Sequence, residues 1–539
     1  MKSTSTVALI INMWAFSGWG WGIAQAAEPN SGSSFKEWCQ KQASLSAEAR
    51  ITVEVLLAKA GTNDCELGAK NLLSLTKLYL GQKGISDLSP LAELTNLEEL
   101  DLHDNRIIDV SPLARLKNLK KLSVSLNQIA DISPLAGLKN LESLSLGNNQ
   151  IADVNPLAGL TNLTSLALYN NKITDVRPLA GMTKLTGLDL DKNQIADVRA
   201  LARLTNLTRL ALIANKIADI SPLAGLTNLK RLDIESNQLK DISPLAGLNN
   251  LNQLNLTLNQ IKDVSPLARL KNLNELMLTL NQIKDVSPLA GLTNLDWLNL
   301  RFNQVEDISA LAKLANLTTL YLHDNQIKDV SSLAGMTKLK QLDLEYNQIK
   351  DVSFLAEMTN LDQLNLEGNQ IDVRSLVGLK NVSSLNLENN KIKDVSSLAG
   401  LKNLSALNLD NNQIQDVSPL AGLTNLSWLN LESNQIKDVG PLARLINLKS
   451  LNLKGKQIED VSPLAGLTNL TGLNLEGNQV KDVRPLAKLI NLYSLNLRFN
   501  PVADFSPLAA LKNLSSLYVA DNAIARQSCP VSRLEVCKF

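Results

Sequence analysis

From Leu75 to Asn522 the chain repeats one spelling of apolar and polar positions, LxxLxLxxNxIxDVSPLAxLxN, at a constant spacing that places its asparagine at 105, 127, 149 and 171 and onward. Twenty-one copies can be counted. In Leu97-Glu98-Glu99-Leu100-Asp101-Leu102 the alternation of Leu100 and Leu102 has period two. That period predicts a short strand that buries those leucines and exposes positions 99, 101 and 103. Asn105 follows where the chain must turn, and an amide can both donate to and accept from a turn backbone. Ile107 returns to the interior. Asp109-Val110-Ser111-Pro112-Leu113 then reads as a helix start, with a capping side chain ahead of a proline at the first helical position. Fourteen of the 17 prolines fall in this slot, and Asp holds its own slot in 20 of 21 copies. Lys83 and Lys456 replace the turn asparagine in two copies, and a one-position deletion between Ile371 and Asp372 shortens a single step.

No copy can bury its leucines alone, so the copies are expected to stack into an α/β solenoid with one aliphatic core. The strands form a parallel sheet, and the helical or 3-10 segments lie opposite. Those segments are wider than the strand spacing, which predicts a curved horseshoe of about 21 coils with the sheet concave. Open ends need covers. Residues 34–74 are expected to form a helical N-terminal cap, because Ser46 precedes apolar positions 51, 53, 55, 56 and 57 in a capped amphipathic pattern. Residues 75–522 form the solenoid and 523–539 close the other end.

Composition adjusts this picture in few places. For 539 residues, length alone suggests several domains, and the repeats override it. Fifty-three Lys and Arg against 52 Asp and Glu give no global pull toward nucleic acid or anionic membrane. Residues 1–26 read as a signal peptide, with Lys2, the apolar run 8–16 and the small-x-small site Ala24-Gln25-Ala26; residues 27–33 are a linker. No later run reaches the ~20 apolar residues of a membrane span. Cys39 and Cys65 precede the repeats while Cys529 and Cys537 follow them. At ~4.8 Å per strand the two ends lie on the order of 100 Å apart, which leaves Cys39–Cys65 and Cys529–Cys537 as the intrachain pairs. Export makes disulfides the natural reading, in place of zinc.

The stretch NQIKDVSPLAGLTNLDWLNL (281–300) resembles the repeats of bacterial internalins and of eukaryotic phosphatase regulators in the leucine-rich-repeat family. The resemblance covers roughly residues 75–525. FKEWC (35–39), TVEVLLAKAGTNDC (52–65) and SCPVSRLEVCKF (528–539) are similar to cysteine-bearing caps of secreted cyanobacterial leucine-rich-repeat proteins. The resemblance implies a non-catalytic binding scaffold and is weak on which partner it serves. Internalins usually continue into an immunoglobulin-like module that is not found before Phe539, which puts host-entry adhesion in doubt. A phosphatase-regulating role is opposed by the signal and the cysteines.

No catalytic constellation is present in the sequence. His103 and His323 share a slot ten coils apart, about 48 Å at sheet spacing, and cannot share a metal. The aspartate row supplies one carboxylate per turn, unlike a calcium repeat. NLT and NLS triplets match glycosylation sequons but follow from the repeat. No cofactor or metal is expected.

Candidate binding residues come from the slots that face the sheet surface. Trp297, Arg301 and Phe302 stand together in TNLDWLNLRFNQ, and Tyr321, His323 and Tyr346 follow within two coils; Trp428 lies further on. Exposed aromatics and Arg dominate binding hot spots. Phe302 has an alternative placement, packed under the adjacent loop. Beyond coil thirteen the middle slot is an unbroken asparagine row from 365 to 496. The third slot is acidic through Glu345, Glu367, Glu388, Asp410, Glu432 and Glu476, interrupted by Lys454. The expectation is a secreted or periplasmic monomer that grips a protein or peptide on its concave sheet. The alternative is a cell-envelope protein that binds polysaccharide through the Asn and acidic rows and Trp428.

Overall fold

A computed structural model describes residues 33–455, 457–522, 529 and 536–538. The expected signal peptide, most of the linker and most of the terminal segment lie outside the described residues. The chain divides into two compact units, residues 1–140 and 141–539.

In the first unit, helices α1 (Phe35–Gln40), α2 (Ala47–Ala60) and α3 (Cys65–Leu73) precede three parallel strands, Lys77–Tyr79, Glu99–Asp101 and Lys121–Ser123. Ser34 and Glu37 form a reciprocal capping box on α1. The Ser46 hydroxyl caps α2 by accepting from Ala49 N–H, and Gly61, at φ +71°, ends it. The buried stripe of α2 is Ala49, Thr52, Val53, Leu56 and Leu57. Ile51 is exposed, contrary to the apolar pattern, because at 100° per residue it falls off that stripe. Thr52 takes an inward place instead, its hydroxyl donating to the Asp87 carbonyl at 2.7 Å. Cys39–Cys65 ties α1 to the start of α3.

The second unit repeats one coil. Its three-residue strands run from Ser143–Ser145 to Ser516–Tyr518 and pair in parallel at the repeat register, as in Glu275↔Trp297↔Thr319. The deletion is absorbed without slippage, since Gln363 pairs Ser384. Cys537–Lys538 adds a last parallel strand on Leu517 and Tyr518, and Cys529 bonds Cys537. Each strand turns one leucine into the core, and the rest of a typical coil supplies an Ile, a Val and four further leucines, as Leu278, Ile283, Val286, Leu289, Leu292 and Leu295 do after Leu276.

The opposite edge is 3-10 helix, as in Ser287–Gly291. A short segment with a proline second leaves room for i→i−3 bonds only: Leu289 N–H donates to the Val286 carbonyl and Leu292 N–H to Leu289. Asp285 accepts the Ser287 N–H at 2.8 Å, and the same bond recurs at Asp263, Asp307 and Asp329. The aspartate row is therefore a row of turn caps.

The turn asparagine is buried and fully used. Asn303 Nδ2 donates to the carbonyls of Leu278, Leu300 and Arg301, while Oδ1 accepts the Ile283 N–H at 3.0 Å. It thereby stitches its own coil to the one before. A second asparagine row crosses coils near the 3-10 segments: Asn294 donates to Lys271 and Asn316 to Thr293, both at 2.8 Å. Asn316 heads a sequon triplet, so its amide is already spent on the ladder.

Candidate functional site

The candidate site lies on the sheet face of coils eleven to thirteen, with strands Trp297–Asn299, Thr319–Tyr321 and Gln341–Asp343. Because Leu298, Leu320 and Leu342 point into the core, the alternate positions 297, 299, 321 and 343 share the outer face. Trp297 and Tyr321 meet edge to face, with ring centroids 5.7 Å apart. The Arg301 guanidinium lies 4.0 Å over the Tyr321 ring. Arg301 Nη2 also donates to Asp343 Oδ2 at 2.6 Å, and His323 Nδ1 lies 3.1 Å from the same oxygen. Phe302 packs edge-on to His323 at 4.6 Å. One connected cluster results: Trp297, Tyr321, Arg301, Asp343, His323 and Phe302.

Asp343 is the hub that the sequence reading overlooked. It is only 8% exposed. Burial pushes its carboxyl up, but the hydrogen bonds of His323 and Arg301 outweigh burial and hold it below the ordinary value. An acidic residue in the middle slot, two coils from Arg301, was the available signal. Arg301 Nε and His323 Nε2 are shielded from solvent and have no hydrogen-bond partner among the described residues. The nearest acid to His323 Nε2, Asp324, stands at 3.7 Å, too long for one.

Phe302 remains 43% exposed, with φ +53°. It does not pack under the loop, because the left-handed backbone of this slot turns the side chain out. Leu258, Leu280 and Tyr346 share that conformation and exposure. The Tyr321 hydroxyl donates to Gln341 at 3.0 Å and the Tyr346 hydroxyl to Glu367 at 2.9 Å. Tyr346 thus belongs to a neighbouring polar group. Trp428 is not brought in: it is 39% exposed between Ala406 and Ser450, six coils from Trp297 and so about 29 Å away at sheet spacing. Beside the cluster, Arg301, Tyr321, Gln341, Asp343, Gln363 and Asn365 line a hollow of about 320 Å³.

His323, Asp343 and Glu345 offer ligand atoms within 4.8 Å of one another and are the described residues that could hold a metal ion. Arg301 already supplies the positive charge on Asp343, so a cation there would have to displace it.

The asparagine and acidic rows are partners of each other. Asn365 donates to Glu345 at 2.7 Å, Asn386 to Glu367 at 3.0 Å, Asn408 to Glu388 at 2.8 Å and Asn452 to Glu432 at 2.8 Å. Each amide oxygen accepts the N–H two positions on, as Asn365 does from Glu367. The rows look repetitive because one inter-coil bond is repeated.

The family pattern described as leucine-rich repeats in two copies matches residues 73–115, 117–159, 161–203, 205–247, 293–335, 380–422, 424–466 and 468–510. A single leucine-rich-repeat pattern matches 315–371. An internalin from Listeria monocytogenes is 32% identical, covering 71% of this chain and 94% of its own, with a TM-score of 0.45. A leucine-rich-repeat protein of Leptospira interrogans is 27% identical over 71% of this chain and 97% of its own, with a TM-score of 0.60. A plant peptide hormone receptor, solved in complex with a peptide hormone, is 22% identical over 84% of this chain and 86% of its own, at 0.58. No curated protein sequence matches significantly. With the repeat pattern spread over more than half its length, the chain belongs to the leucine-rich-repeat family.

Proposed function

We propose that this protein is a secreted, non-catalytic binding protein that takes a protein or peptide on its sheet face, centred on coils eleven to thirteen. The observation that carries this reading is the Trp297–Tyr321–Arg301–Asp343 chain of contacts. Aromatic and arginine side chains held by one another before a partner arrives lose little rotamer freedom on binding. No described helix is long and apolar enough to cross a membrane. The two disulfides fit an oxidising compartment.

Replacing Trp297 and Tyr321 together by Ala removes the anchors and releases Arg301 from its ring. Partner capture from the producing cell's envelope and medium should weaken at least tenfold, while the thermal transition of the core moves little. Undiminished capture by the double variant would overturn the site. The polysaccharide alternative is less favoured, because the Asn and acidic rows it relied on are bonded to each other. Glycan-array binding that survives the double variant and disappears with Trp428→Ala would reinstate it.

A further inference from the structure

The arrangement of coil eleven recurs nine coils on with its acid missing. The spelling LNLRFN stands at 298–303 and again at 495–500. Asn299 pairs Tyr321 and Asn496 pairs Tyr518, so Arg498, Phe499 and Tyr518 hold the slots of Arg301, Phe302 and Tyr321. Phe499 shares the left-handed backbone of Phe302, at φ +55°, and is 53% exposed. The two arginines are alike as well. Nε of each is shielded from solvent and has no hydrogen-bond partner among the described residues.

The strands that follow differ. Tyr321 pairs Asp343, whose carboxylate accepts from Arg301 Nη2, whereas Tyr518 pairs Lys538. Ala520 stands in the slot of His323 and brings no polar side-chain atom. The position that supplies an acid to Arg301 thus supplies a second cation two strands from Arg498. Glu476, in the same slot one coil before Arg498, is taken by Asn496 at 2.8 Å and by Lys454 at 3.5 Å. Neither Glu476 nor Asp521 forms an ion pair with Arg498, and no other described residue does. Lys538 is exposed and likewise without an ion pair among the described residues. A partly shielded guanidinium without an acid is costly, and a carboxylate from outside would relieve it.

We infer that the sheet face of coils twenty and twenty-one, with the last strand, binds an acidic, extended peptide segment of a protein partner. One Asp side chain of that segment takes the place that Asp343 takes beside Arg301, between Arg498 and Lys538. Arg301 and Asp343 meet across two strands, and Arg498 and Lys538 are set apart by the same two strands, about 9.6 Å. A single carboxylate is within reach of both cations. In an extended segment the side chains two positions away share the face of the Asp, and an apolar one there lies against the exposed Phe499. The site stands nine coils from Trp297, about 43 Å at sheet spacing, and is separate from the binding face proposed above.

The test uses an acetylated and amidated peptide with a central Asp, a leucine two positions to either side, and Gly and Ser elsewhere. A fluorescent label reports its binding to the mature chain by anisotropy at low salt. Lys538→Asp gives Arg498 the intrachain acid that Arg301 has, so the variant should keep the wild-type thermal transition and bind the peptide at least tenfold more weakly. Arg498→Gln should weaken binding on the order of tenfold, the loss of one charge-assisted contact. Peptide affinity within twofold of wild type in both variants overturns the inference, as does equal binding of the peptide with Asn in place of Asp, or no binding to the wild type. Sulfate that binds more tightly than the peptide also overturns it, in favour of a small-anion site. Loss of peptide binding in Trp297→Ala/Tyr321→Ala would place the peptide on coil eleven and overturn it too. Partner capture through Trp297 and Tyr321 is a separate measurement, so either proposal can fail without the other.

Discussion

Asp343 is one residue on which several others depend. It is nearly buried, yet it touches Arg301 and His323, and through Arg301 it reaches Tyr321 and Trp297. Replacing it with Asn keeps the shape but leaves the Arg301 charge uncompensated in a partly shielded place. The expected loss of stability is about 1–3 kcal/mol, discounted because Arg301 is 30% exposed. Its carboxyl sits below the ordinary value of 3.8, so its stabilising contribution is present above that pH and fades as pH falls through the lowered value. Denaturation midpoints of wild type and Asp343→Asn should differ at pH 7 and converge as pH falls below the ordinary carboxylate value; a constant gap would contradict the ion pairs. The residue types at the site were legible in the sequence, and Trp297, Arg301, Tyr321 and His323 do meet. Their mutual contacts were not, since Arg301 and Asp343 belong to different coils and are joined only by stacking two coils on.

At the scale of the coil, the slot before the turn asparagine shows how the repeat tolerates strain. Leu280 sits there at φ +55° and Phe302 at +53°, whereas Gly368 and Gly477 occupy the same slot at +65° and +67°. A left-handed residue other than Gly costs roughly 1–2 kcal/mol. Leu280→Gly should accordingly stabilise the fold by up to about 1 kcal/mol, since the exposed leucine contributes little packing and Gly loses some chain entropy. A lower denaturant midpoint for this variant would show that the leucine packs against its neighbours more than its exposure indicates. The coil itself was readable: strand, turn, 3-10 segment and core leucines follow from the repeated spelling. The function of the two asparagine rows was readable only in part, because a side chain bonded to a carbonyl of the preceding coil leaves no local mark.

At the scale of the whole chain, stability is a sum over coils and the contacts between neighbours. Charge placed on the sheet face of one coil is therefore felt in the next. In coils six to eight, Asp189, Asp191 and Asp233 share a hollow with Arg209 and Arg231. Burial raises Asp191 to about 6, while its Oδ1 accepts the Ile213 N–H at 2.6 Å. The sign is opposite to that of Asp343. A carboxyl with a raised folded-state value binds its proton more tightly when folded, so its destabilising effect develops as pH rises from about 4 to about 6. Asp191→Asn retains an acceptor for Ile213. It should raise stability at pH 7.5 by about 1 kcal/mol after allowance for partial solvation, and by nothing at pH 4. Denaturant unfolding at the two pH values measures this, and an equal gain at both would rule out the burial of the charge as its cause.

Periodicity alone determined the leucine-rich-repeat fold, the place of the repeat strands, the capping aspartates and the residue types exposed on the sheet, because each of these depends on neighbours within one coil of chain. The tertiary structure decided what each exposed residue touches: that Asp343 gathers Arg301 and His323, that Phe302 lies half-exposed against His323, that Trp428 stands apart, and that the asparagine and acidic rows bond each other. The physical reason is distance along the chain. Side chains one or two coils apart become neighbours only when coils stack at strand spacing, so the bonds between them exist in the folded stack and nowhere in the local sequence.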